Sequence, residues 1–373
     1  MDQQYFEEID TQTLEKETNE YTVLVISEDG NNEWRKIDSY KFPLESKNNK
    51  FQRDQSLPLK PPLSTKDLIA RLRQHEVEID DSKIDSAVRN LRQINYYRLS
   101  AFIKFLPPNN KNFDNLMALY NFDRFLRNKI SILLNPLELY IRTTLAHYLA
   151  CNSPDSSKFP PSLIYMDQNI YINDKHRDYN FKNLISNFYK TLSDRVDHEE
   201  SLEHYVKKYG GWIPIWVLVE HLTFGNISRL IKYLNTTLKK GWMSYALPDH
   251  ENRYITNFKN IDEWIKTLLV LRNTCAHMGR LYGRKNPGFS PNISQIPILT
   301  KLDLPGSNEN FKHTLFAGLL VLREFYRILG DERIAEWNTF VKELNGQFKN
   351  PVIDPEKMGL NKFIDEDWLI SER

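Results

Sequence analysis

From Ser64 onward apolar residues recur at helical spacing almost throughout, and few segments alternate with the two-residue period of a strand. That periodicity commits the body of the chain to a mostly α fold, in which each helix buries one stripe. Ser64, with Asp67 three residues on, reads as a capping box opening the run LIARLRQHEVEI. Asp81 to Asn95 repeats the pattern, with Ile84, Val88 and Leu91 on one stripe. Leu116 to Ala150 is long and apolar-periodic, and Asn135-Pro136 predicts a kink or split there, because proline lacks the N–H a helix needs. Further helices are expected at roughly 180–196, 213–238, 258–279, 311–329 and 333–346, with Gly210-Gly211 marking a break. Residues 152–178, rich in Ser, Pro, Asn and Asp, read as a long excursion.

The first 55 residues differ. YTVLVI (21–26) is β-branched and apolar, Asp29-Gly30 is a turn signal, and Trp34 to Phe42 resume an extended pattern. These features predict a small β-hairpin, followed by a polar linker at 45–56. The expected organisation is an N-terminal extension over 1–55 and a helical body over 56–373.

Composition narrows the classes. With 373 residues, 40% of them hydrophobic, the chain can bury a core, which excludes global disorder. A mean hydropathy of -0.56 and no apolar run near 18 residues argue against a membrane span. MDQQYFEEID has neither the basic nor the apolar region of a secretory leader. Cys151 and Cys275 are too few for a disulfide scaffold or a four-thiolate zinc site, and fit a reducing cytoplasm. No metal or other cofactor is called for.

A net charge of +1 argues against a nucleic-acid partner until it is divided. Residues 1–55 carry 13 acids and 7 bases, residues 354–373 carry 6 and 3, and residues 56–353 carry 30 and 40. The near-neutral total therefore hides a basic body between two acidic ends. Such a body suits a polyanion, although Lys-rich helical surfaces also serve solubility alone.

Two segments inside the basic body resemble each other: IRTTLAH (141–147) and LRNTCAH (271–277). Each places Arg and His five residues apart, with Thr and Ala at the same offsets. On a helix, His then lies about 140° round from Arg, while the residue after Arg shares the face of His. That residue is Asn273 over His277 in the second copy, where an amide can orient the imidazole, and the smaller Thr143 over His147 in the first. Arg with His suits cleavage of RNA by its own 2'-hydroxyl. Histidine moves a proton near neutral pH, the guanidinium holds the phosphate as charge builds, and no metal is required. Two copies facing each other would set Arg142, His147, Arg272 and His277 around one phosphate. The bland alternative is that both are packing or capping residues.

Arg272-Asn273 through His277 resembles the RNxxxH signature of HEPN-domain ribonucleases. INYYRLSAF (94–102), LYNFDRFLRNKI (119–130), LELYIRTTLAHYLA (137–150), PIWVLVEHLTFGNISRLIKYL (214–234), LVLRNTCAHMGRLYGR (269–284) and MGL with the following Trp368 resemble the Abi-like family, abortive-infection proteins of the AbiD/AbiF type. The resemblance spans about residues 58–370. It implies a HEPN-like helical bundle, RNA as substrate or partner, and toxicity in bacterial phage defence. Some AbiF-type proteins associate with a small non-coding RNA. The resemblance further implies that Arg272, Asn273 and His277 form the better-preserved half-site and Arg142 with His147 the other, Thr143 being a departure. The halves could meet within one chain or across a homodimer.

Arg280, Arg284 and Lys285 follow the second motif and are the candidates for gripping phosphate, with a solvated basic turn as the alternative. Tyr97 and Arg98 could stack on bases, although an aromatic cluster at a helix end is often core. Asp123, Arg124 and Arg127 read as an ion-pair network, Glu220-His221 as satisfied core groups, and Cys275 as packing. The expected function is an endoribonuclease toxin. The alternatives are an RNA-binding module that forms a ribonucleoprotein with little nuclease activity, and a DNA-contacting regulator using the helices at 64–95.

Overall fold

The structure, a computed structural model, describes residues 62–247, 258–286, 288, 291, 296, 311–360 and 368–371, together with two strands at 21–26 and 32–37. Tyr21–Ile26 (β1) pairs antiparallel with Asn32–Ile37 (β2), Tyr21 opposite Ile37. The Asp29-Gly30 turn and the 45–56 linker lie outside the described residues. The class is set by the remainder, which is mostly helical.

Polar side chains cap several of the helix starts. Thr65–Gln74 (α1) opens on the Ser64–Asp67 capping box, with Asp67 N–H donating to Ser64 Oγ and Ser64 N–H to Asp67 Oδ2. Ile84–Gln93 (α2) follows a 3-10 turn capped by Asp80. The Asn95 side chain caps Tyr96–Ser100 (α3), and the Asn112 side chain caps the 39-residue Phe113–Cys151 (α4). Arg177–Ser193 (α5), Glu200–Tyr209 (α6), Ile215–His221 (α7), Phe224–Tyr233 (α8), Thr236–Ala246 (α9), Phe258–Ala276 (α10), Leu315–Tyr326 (α11) and Asp331–Gln347 (α12) complete the body.

Three expectations are corrected. Residues 213–238 do not form one helix, because Leu222 is extended and Thr223 restarts the chain as the N-cap of α8. Helix α6 lies outside the ranges expected from periodicity and α9 shares only residues 236–238 with them; α6 buries only Leu202, so it shows no broad apolar stripe. And α4 runs through Pro136 unsplit. The Ile132 carbonyl loses its helical donor there, and its exposed side chain marks the solvent side. The neighbouring Leu133 carbonyl accepts a hydrogen bond from the buried Tyr326 hydroxyl at 2.7 Å, so tertiary packing supports the helix at the proline.

Helix α4 is the axis of the fold. Its buried residues run from Phe113 to Leu149, and α7, α9, α10 and α12 pack on them. All of α11 is buried, as a helix apolar on most sides must be. Its charged pair, Arg323 and Glu324, is matched internally at 2.7 Å. Helix α9 approaches α4 closely at Gly241, where any Cβ would overlap the Tyr148 ring. That approach sets α9 beside the end of α4 that carries the first motif.

Candidate functional site

Helices α4 and α10 carry the two motifs and run antiparallel. Arg272 of α10 meets Glu138 of α4, and Leu281, just past α10, meets Asp123 farther back along α4.

The second motif ends α10 in a tight reversal. The Gly279 N–H donates to the Thr274 carbonyl at 2.7 Å and the Met278 N–H to the Cys275 carbonyl at 3.0 Å. This is a Schellman closure, with His277 at the helix cap and Met278 left-handed at φ 53°. His277 is exposed, and no side chain among the described residues hydrogen-bonds its imidazole. Asn273 Oδ1 instead accepts from Arg272 Nη1 at 3.3 Å, so the expected Asn273–His277 contact is absent.

The predicted RNA-contacting residues gather at this reversal. Arg98 of α3 donates to the Met278 carbonyl. Arg280 donates to the Ala101 carbonyl at 2.9 Å and lies over the Phe105 ring, 5.0 Å from its centroid. Burial and, secondarily, the neighbouring Arg284 charge lower the Arg280 pKa, so its cation sits where an anion would relieve it. Arg284 and Lys285 are exposed beside it, and Tyr97 is 74% exposed next to Arg98. Gly283, at φ 63°, lets the chain turn against the Phe105 ring, where a Cβ has no room.

The first motif is differently placed. Arg142 is buried, donating through Nη1 to the Val219 and Leu222 carbonyls and through Nε and Nη2 to Glu138. His147 is exposed and faces α9. Its Nδ1 lies 3.0 Å from the Tyr245 hydroxyl, the two rings stack, and its Nε2 is 3.8 Å from Cys151 Sγ. Thr143 is exposed. The arginines of the two motifs are therefore brought together and the histidines are not. From the Arg272–Glu138 contact, His277 lies five residues onward in one direction and His147 nine residues in the other, about 20 Å apart along the axis.

One residue at the site escaped sequence reasoning, and another does more than the ion pair expected of it. Glu138 holds both motif arginines, Arg142 through Oε1 and Arg272 through Oε2 at 3.3 Å. Its spacing four residues before Arg142 was the available signal. Asp123, fully buried, accepts the Leu281 and Tyr282 N–H groups through Oδ1 at 2.8 and 2.7 Å and pairs with Arg127 through Oδ2. It fixes the reversal to α4, a role an ion-pair reading alone does not convey. Among the described residues no three of His, Cys, Asp and Glu converge as a metal set, and no helix is long and apolar enough to cross a membrane.

The described residues form a mostly helical body in which the exposed His277 ends α10 in a reversal flanked by Arg98, Arg280 and Phe105. The family model described as Abi-like protein matches residues 89–283. The chain belongs to the Abi-like family, a membership that points to abortive infection as a phage defence. The match takes in both motifs, Tyr97, Arg98 and Arg280, and stops before Arg284 and Lys285. No curated protein and no solved structure matches the chain.

Proposed function

We propose that this chain is a phage-defence toxin of HEPN type that cleaves RNA at the reversal around His277. The observation that carries the reading is the exposure of His277 at the end of α10, with Arg98, Arg280 and Arg284 about the same reversal and Arg272 five residues earlier on the helix. In the reaction the 2'-oxygen of a ribose attacks the adjacent phosphorus and the bond to the 5'-oxygen of the next nucleotide breaks. The products are a 2',3'-cyclic phosphate and a free 5'-hydroxyl. His277 moves one of the two protons involved, from the 2'-hydroxyl or to the departing 5'-oxygen. Arg272, with Arg280 and Arg284, holds the phosphate oxygens as negative charge builds. Tyr97 offers a ring for a base. One chain supplies one such histidine, so a second copy of the chain would bring the other proton-transfer group.

The test compares wild type with His277→Ala for growth arrest and for cleavage of total RNA by the purified protein. The reading requires the variant to lose both. Equal toxicity and equal cleavage would overturn the site assignment.

A second reading is favoured by Arg142, whose guanidinium is committed to protein acceptors and so has little left for a scissile phosphate. In that reading the body holds a small structured RNA and cleaves weakly or not at all. Sequencing the nucleic acid that co-purifies with the protein separates the two: one dominant small RNA supports the ribonucleoprotein, and cleavage products without one support the nuclease.

A further inference from the structure

We propose that Glu138 is the positioning residue of this site, and that Arg142 serves as its brace rather than as a second phosphate-binding group. The proposal rests on the functional reading above and adds to it the part played by the first motif.

Arg142 has five N–H donors, and its contacts occupy the guanidinium on both sides. The Val219 and Leu222 carbonyls lie at the end of α7, where the chain turns extended and the last helical carbonyls have no donor of their own. A buried cation is well placed there, since the C-terminal end of a helix carries partial negative charge. Arg142 therefore closes α7 and, with its remaining edge, fixes one oxygen of Glu138.

The other Glu138 oxygen meets Nε of Arg272 at 3.3 Å, and Asn273 Oδ1 takes Nη1 of the same group. Arg272 is thereby held on its inner edge while its side chain stays 42% exposed, against 15% for Glu138. A long arginine side chain gives up rotamer freedom when it binds phosphate. Arg272 has given up much of that freedom in advance. The repeat is thus asymmetric: Arg142 anchors Glu138, and Glu138 presents Arg272. This also accounts for a first copy that keeps its arginine without an amide at Thr143.

The sign of one measurement separates positioning from simple charge balance. An acid that merely offsets basic charge would, on neutralisation, let RNA bind more tightly. A positioning acid would, on neutralisation, weaken binding and uncouple Arg272. The experiment measures the Kd of a fluorescein-labelled, mixed-sequence single-stranded RNA for wild type, Glu138→Gln, Arg272→Ala and the double variant, with the fold checked by circular dichroism.

The expected result is weaker binding by Glu138→Gln, by about tenfold, the size of one coupled pair. Arg272→Ala should then cost much less in that background than in wild type. Should Glu138→Gln leave Arg142 without a counter-ion and fail to fold, Glu138→Asp takes its place. It keeps the charge and shortens the reach toward Arg272, and the same non-additivity is expected. Tighter or unchanged binding by a folded variant, or additive losses, overturns this proposal alone. A wild-type chain that does not bind RNA overturns the functional reading and the proposal with it.

Discussion

His147 and His277 come from the same pattern in the sequence, yet stand about 20 Å apart along the antiparallel α4–α10 pair, one facing Tyr245 and the other in the basic reversal. Two groups so separated do not act on one phosphate within a chain. His277→Ala is therefore expected to lower RNA cleavage by about 10²- to 10⁴-fold, the usual worth of a proton-transferring side chain. His147→Ala should leave the rate near that of wild type. Initial rates on a labelled RNA measure both. Equal losses would mean that His147 reaches the phosphate from a second copy.

The difference in legibility between the two motifs has a physical cause. Helical periodicity made α4 and α10 readable, since long helices with buried stripes declare themselves locally. Capping chemistry did the same for Ser64 and Asp67. Arg280 and Arg284 stood out because they follow a motif, whereas the approach of Arg98 to the Met278 carbonyl, 180 residues on, has no local signal. Other features depend on partners distant in sequence. Nothing near Arg142 says that α7 ends beside it, and nothing near His147 points to Tyr245, 98 residues on. Pro136 reads locally as a helix breaker, and only the Tyr326 hydroxyl, 193 residues from the Leu133 carbonyl it meets, shows how the adjacent turn is supported. The break at Leu222 was missed because apolar spacing continues through it.

Asp123 sets the reversal in place, and its loss should be severe. Asp123→Ala would strand Arg127, whose side chain is 11% exposed, and leave the Leu281 and Tyr282 N–H groups without an acceptor. Breaking a buried pair from one side costs about 3–5 kcal/mol. Urea unfolding followed by circular dichroism should show a loss of that order. A change below about 1 kcal/mol, the range of an exposed pair, would mean that the reversal is held by other contacts.

Met278 predicts a change of opposite sign. It occupies the left-handed position of the α10 closure, where glycine avoids a Cβ clash that costs about 1–2 kcal/mol in other residues. Met278 is also 65% exposed, so little packing is lost on its removal. Met278→Gly should stabilise the chain by up to about 1 kcal/mol, the gain being reduced by glycine's greater freedom when unfolded. A rise in the urea midpoint with an unchanged slope would bear this out. A fall would mean that the methionine side chain makes a contribution exceeding the backbone strain. Persistence of a strained residue beside His277 suits a site shaped for function, and the same variant assayed on RNA tests whether the strain matters to cleavage.

The two thiols should separate cleanly. Cys275 is buried within the second motif, and burial pushes its pKa from 9.0 up to about 11, with Ser131 and Arg127 opposing. Cys151 is exposed at the end of α4. An aromatic disulfide reagent at mildly alkaline pH should therefore titrate Cys151 in the folded chain, and Cys275 only after denaturation. The same shift fixes a sign for stability. Below pH 9 the Cys275 thiol is protonated whether the chain is folded or unfolded, and it adds no pH dependence. Between 9 and about 11 the unfolded chain releases the proton and the folded chain keeps it, so stability falls as pH rises through that window. Cys275→Ser would flatten this part of the profile, although the hydroxyl it buries lowers stability at every pH. A Cys275 that reacts as fast as Cys151 before unfolding would show that the end of α10 opens readily in solution.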